Sequence, residues 1–128
     1  MQAAFQPTQA NAVRNLRNQF NKFAPRLEAR LAENGTGLCV GARLTFADVV
    51  LAEALSAYLE WVPDILEGSA LLAALHGKVL STPGIAHYLQ SPQRHSMAGN
   101  DYVVAIASVL QRALPAHMPE PHRFVAVA

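Results

Sequence analysis

Hydrophobic and polar positions along this chain repeat with the period of a helix and nowhere with that of a strand. Val13, Leu16, Phe20, Phe23, Leu27 and Leu31 recur at threes and fours, the spacing of one helix face. Pro25 falls inside this run and admits two readings. Either a helix begins there with proline in its first turn, or a longer helix passes through and kinks. Asn34-Gly35-Thr36-Gly37 stops the run with residues that tolerate positive φ. The pattern then predicts a helix over 46–61, ended by Pro63, a third over 70–80, and a short fourth over 85–90. A fifth spans 102–114, where Val103, Ile106, Val109, Leu110 and Leu114 keep helical spacing. Residues 1–12 read as a loose segment, 13–114 as one helical domain, and 115–128, with Pro115, Pro119 and Pro121, as a disordered tail.

The segment 46–61 differs from the others in being apolar on nearly every face. Only Asp48, Glu53, Ser56 and Glu60 are strongly polar between Phe46 and Trp61. A helix apolar all round is usually buried, so this one is expected at the middle of the domain. Its start is spelled out by Leu44-Thr45-Phe46-Ala47-Asp48-Val49. Thr45 stands at the N-cap, where its hydroxyl can accept from a free helix amide. Asp48, at the third helical position, can reach back to the Thr45 N–H and complete a capping box. Leu44 and Val49 have the spacing of a hydrophobic staple. Both Thr45 and Asp48 are therefore read as structural residues.

The run LCVGARLTFADVVLAEAL, from Leu38 to Leu55, resembles the signature that opens the core helix in the C-terminal domain of cytosolic glutathione S-transferases. Trp61-Val62-Pro63-Asp64-Ile65-Leu66 resembles a turn of the sigma-like (prostaglandin D synthase type) class. Leu71 to Val79, Thr82 to Leu89 and Ser91 to His95 are similar to the segments that follow it there. The resemblance covers roughly residues 16 to 95. It implies an all-α fold, a glutathione S-transferase C-terminal-domain-like bundle of about five helices around a buried central helix.

Composition narrows the class further. A chain of 128 residues can bury one core but not two typical ones. Hydrophobic residues make up 52% and charged residues 15%, so some apolar surface is expected to be covered by another body. A net charge of +1 provides no field for nucleic acid. Arg14, Arg17, Lys22 and Arg26 all precede the first acid, Glu28, a beginning that suits a presequence but also the solvent face of a helix, which fits the pattern better. Asp48, Glu53 and Glu60 interrupt the one apolar run long enough to consider as a membrane span. The single cysteine forms no intrachain disulfide and fits a reducing compartment, so a cytoplasmic location is expected.

Chemistry is sparse. Cys39, flanked by Leu38 and Val40, has no neighbouring cation to lower its pKa and reads as an inert core thiol. His76, His87, His95, His117 and His122 form no zinc-ligand spacing and read as surface or tail residues. Asp64 and Glu67 read as capping or dipole partners of the following helix. No catalytic, cofactor-binding or metal-ligating residue is assigned. The resemblance explains this, because in that family a thioredoxin-like N-terminal domain provides most of the glutathione site. It implies glutathione as co-substrate when that domain is present, and an apolar pocket for an electrophile, with Phe20 and Phe23 as candidate lining residues. It also leaves open a homodimer, a protein-interaction module or an apolar-ligand carrier.

Overall fold

The computed structural model describes residues 9–94, together with Ala105, Ser108 and Val109, which are helical. The chain divides into two compact units, Met1–Arg94 and His95–Ala128, and the first holds four helices. They are α1 (Gln9–Asn34), α2 (Phe46–Trp61), α3 (Ala70–Leu80) and α4 (Pro83–Leu89). The fold is all-helical throughout the described residues. Most of the helix expected over 102–114, and the tail expected over 115–128, lie outside them.

α1 is the longer helix of the two readings. It begins at Gln9, four residues before Val13, and runs for 26 residues with Pro25 inside it, a length of about 39 Å. Proline removes the N–H that would bond to the Asn21 carbonyl; both residues are exposed, so water can replace that bond. Phe20, Ala24 and Leu31 are buried, whereas Phe23 is 56% exposed. The helical rotation explains the difference. Ala24, Leu27 and Leu31 fall within about 40° of the Phe20 direction, but Phe23 lies about 60° to one side. Gly35, at φ +68°, ends the helix, and its N–H donates to the Leu31 carbonyl at 3.0 Å. That bond satisfies a carbonyl that the helix end would otherwise leave unpaired.

The loop after α1 is built on Asn34. Its Nδ2 donates to the Thr36 hydroxyl at 2.7 Å and to the carbonyls of Leu38 and Gly41, each at 2.8 Å. The Thr36 hydroxyl in turn donates to the Gly41 carbonyl at 2.6 Å. This network delivers Leu38, 2% exposed, into the interior and brings the chain to the start of α2.

The common packing partner is α3, against which α1, α2 and α4 all lie. Leu72, Leu75 and Val79 form its buried stripe, with Leu72 and Leu75 fully inaccessible. Burying a side chain of that size is worth about 1.5–3 kcal/mol. Ala52, Leu55, Val62 and Ile65 join them from α2 and the turn after it. Phe20 of α1 meets Tyr58 of α2 edge-on, ring centroids 5.7 Å apart, a geometry that adds about 0.5–1.5 kcal/mol to burial. α2 leaves a stripe open along its first two turns, whereas from Leu51 to Trp61 every residue but Glu53 is buried or half-buried. Phe46 is 82% exposed and Val50, one turn on, 46%. The apolarity of α2 on nearly every face predicts burial; the fold provides it along most of the helix and leaves the Phe46–Val50 stripe open. α4 opens with Pro83 in its first turn, where proline's missing N–H costs nothing.

Candidate functional site

Asp48 is the charged side chain that the described residues bury completely. Its Oδ1 accepts the Cys39 N–H at 2.6 Å. Its Oδ2 accepts the Thr45 N–H at 2.7 Å and the Thr45 hydroxyl proton at 2.8 Å. Burial pushes this carboxyl's pKa upward, but the bonds from Cys39 and Thr45 outweigh it and hold the pKa below the usual 3.8. The carboxylate is thus charged and occupied. It ties the 35–44 loop to the positive end of α2 and has no role to spare for acid–base chemistry.

Cys39 is half-buried beside it. Burial first, then the Asp48 carboxylate as hydrogen-bond acceptor and as a nearby negative charge, push the thiol from 9.0 to about 11. A thiol so disfavoured as thiolate is a poor nucleophile at neutral pH.

His76 occupies a different place from the surface expected of it. It is half-buried, and its Nε2 lies 2.9 Å from the Ser56 hydroxyl. That hydroxyl donates its one proton to the Ala52 carbonyl at 3.0 Å, so its oxygen accepts from an Nε2–H. The pair joins α2 to α3, and burial lowers the His76 pKa below 6.5. His87 is exposed; His95, His117 and His122 lie outside the described residues.

Asp64 does not cap α3. The Arg17 guanidinium donates to both its oxygens, at 2.6 and 2.8 Å, and holds its carboxyl below the usual value. The pair ties α1 to the turn before α3. The α3 amides are served from elsewhere: Glu28 of α1 accepts the Leu72 N–H at 2.7 Å and the Leu71 N–H at 3.3 Å. Nothing in the local sequence of α3 signals this cap, because its acceptor stands 44 residues upstream. On the α1 wheel, however, Arg17 and Glu28 both fall about 60–80° from Phe20 on the flank opposite Phe23, which marks them as one edge.

The two candidate lining residues are not brought together. Phe20 sits in the core against Tyr58, while Phe23 faces outward. Thr45 and Asp48 stand where their spacing placed them. Among the described residues, no group of three His, Cys, Asp or Glu side chains is placed to hold a metal, and no helix is long and apolar enough to cross a membrane. The polar groups close helix ends and join helices. What the surface offers is apolar: Phe46 and Val50 on α2, with Val40 and Leu44 exposed in the preceding loop.

These features define an all-α domain whose buried ionisable side chains are spent on architecture. The glutathione S-transferase C-terminal domain model matches residues 1–92, so the chain belongs to that family. It is similar to glutathione S-transferase 3 of Gallus gallus, 32% identical over 92 residues, covering 71% of this chain and 40% of that protein. Glutathione S-transferase A of Cavia porcellus is 36% identical over 70 residues, covering 55% of this chain and 32% of that one. Glutathione S-transferase P 1 of Bufo bufo is 41% identical over 66 residues, covering 50% and 31%. The chain thus spans about a third to two-fifths of the relatives it matches.

Proposed function

We propose that this chain is the electrophile-side half of a glutathione transferase, acting in conjugation or isomerisation once a thioredoxin-like half supplies the glutathione site. The carrying observation is the open apolar face of α2, with Phe46 82% exposed, on a domain of this family whose buried carboxylate, Asp48, is occupied. An exposed aromatic one turn from an exposed valine is surface that a partner covers, and the thioredoxin-like half is the partner the family provides. The helices then contribute an apolar wall suited to a hydrophobic electrophile. Glutathione enters as co-substrate, held by the other half. A cytoplasmic location accords with the single half-buried thiol. The sigma-like reading rests on the Trp61–Leu66 turn, whereas relatives carry A and P names, so the proposal stands at the level of the family.

The same face suits a second reading, a non-catalytic interaction module or apolar-ligand carrier. One experiment separates them. Glutathione conjugation of an apolar electrophile is measured for this chain alone and for the chain joined to the thioredoxin-like half of the Gallus gallus relative. The proposal expects no turnover alone and turnover when joined. A joined protein that folds, binds glutathione and still conjugates nothing would sink it and leave the module or carrier.

A further inference from the structure

We propose that Asn34-Gly35 is a latent deamidation site, locked by the loop that Asn34 itself organises, whose conversion to an acid releases the 35–41 loop. Asparagine followed by glycine is the dipeptide most open to this reaction, because glycine has no Cβ to obstruct the approach of its nitrogen. In an open chain, hydroxide takes the Gly35 N–H proton and the nitrogen attacks the Asn34 Cγ. The new N–C bond closes a five-membered imide, the Cγ–Nδ2 bond breaks, and Nδ2 leaves as ammonia with a proton from water. Water then opens the imide at either carbonyl, giving aspartate or its β-linked isomer.

The fold blocks each participant. The attacking nitrogen's proton is held by the Leu31 carbonyl at 3.0 Å. The leaving nitrogen is held by three acceptors, the Thr36 hydroxyl and the Leu38 and Gly41 carbonyls, at 2.7 to 2.8 Å. Two hydrogens shared among three acceptors leave Nδ2 no freedom to turn. Asn34 itself is half-buried at the end of α1. The reaction therefore waits on local opening of the loop.

Once it occurs, it does not reverse. A carboxylate in place of the amide has no proton for the Leu38 and Gly41 carbonyls, so those two attractive contacts become close approaches between oxygens, and the Thr36 hydroxyl can bond the new acid only by withdrawing its proton from Gly41. The loop also carries Cys39, whose N–H donates to buried Asp48, so its release reaches the start of α2.

The test follows the mass of the peptide containing Asn34, with an isoaspartate-specific methylation readout. The folded 128-residue chain and the same chain in guanidinium are incubated in mildly alkaline buffer. Deamidation in the folded chain is expected to be slower by about tenfold or more, the factor set by the open population. Thr36→Val, which removes one acceptor, should speed the reaction in the folded chain while leaving the unfolded rate unchanged. Asn34→Asp should lower the melting temperature. Equal rates in folded and unfolded chains, or a Thr36→Val rate no faster than the parent's, would overturn the lock. An Asn34→Asp chain as stable as the parent would overturn the release.

Discussion

Glu28 of α1 accepts the Leu72 N–H of α3 at 2.7 Å, and this bond makes one helix the cap of another. Ser69 precedes α3 as N-cap residue without a side-chain cap bond, so the first-turn amides depend on a carboxylate brought by tertiary packing. Leu72 is fully buried, and an amide left unpaired there has no water to turn to. Glu28→Ala is expected to cost about 1–3 kcal/mol, read as a fall in the denaturant midpoint. Glu28→Gln, which keeps an acceptor oxygen, should recover part of it. Equal losses in both variants would show that charge at the helix end matters more than the bond.

Asp48 should govern the acid limb of stability. Its folded pKa lies below the unfolded value of 3.8, because the Cys39 and Thr45 bonds overcome the upward push of burial. A lowered carboxylate pKa contributes stability that is present above the unfolded value and is lost as pH falls through the folded one. Unfolding midpoints measured through the acid range should therefore drop below about pH 4. Asp48→Asn should flatten that drop and, by leaving buried donors poorly matched, cost about 2–3 kcal/mol at neutral pH. A drop of unchanged steepness in the variant would assign the acid limb to other groups.

Cys39 should be slow to alkylate. A thiol moved from 9.0 to about 11 has a thiolate population about a hundredfold smaller at neutral pH. Alkylation by a small reagent should be slower in the folded chain than in the unfolded chain by about that factor, before any steric protection. The linkage has the opposite sign to that of Asp48. The raised thiol favours the folded state below the unfolded value of 9.0, and this contribution is lost as pH rises through about 11. Asp48→Asn removes the negative charge and should speed alkylation.

Phe46 and Val50 should matter for assembly and little for folding. Both face outward on α2, and surface substitutions away from caps and cores usually change stability by less than about 0.5 kcal/mol. Phe46→Ser with Val50→Ser is expected to leave the melting temperature almost unchanged and to abolish turnover when the thioredoxin-like half is supplied. A large loss of stability in the isolated chain would place these side chains in the fold itself.

The ends of the helices were written locally. Gly35 lies at positive φ where the Asn34–Gly37 run predicted a stop, and Pro63 follows the end of α2 at Trp61. The Asp48 bond to the Thr45 N–H was legible because three residues of one chain fix its geometry. His76 and Asp64 were not, since Ser56 and Arg17 come to them from other helices across 20 and 47 residues.

Sequence alone thus determined the four described helices, with the start of α1 left between two readings, and the family, because period, caps and breakers act within a turn or two of chain. Which helix becomes the common partner was decided only by packing. α2 and α3 are both apolar on most faces, and neither sequence says which will lie against the other helices. The tertiary structure gave that place to α3, left Phe46 and Val50 of α2 outward, and turned Phe23 away from a core line it shared by spacing. Burial depends on what lies opposite a side chain, and that neighbour is distant in sequence.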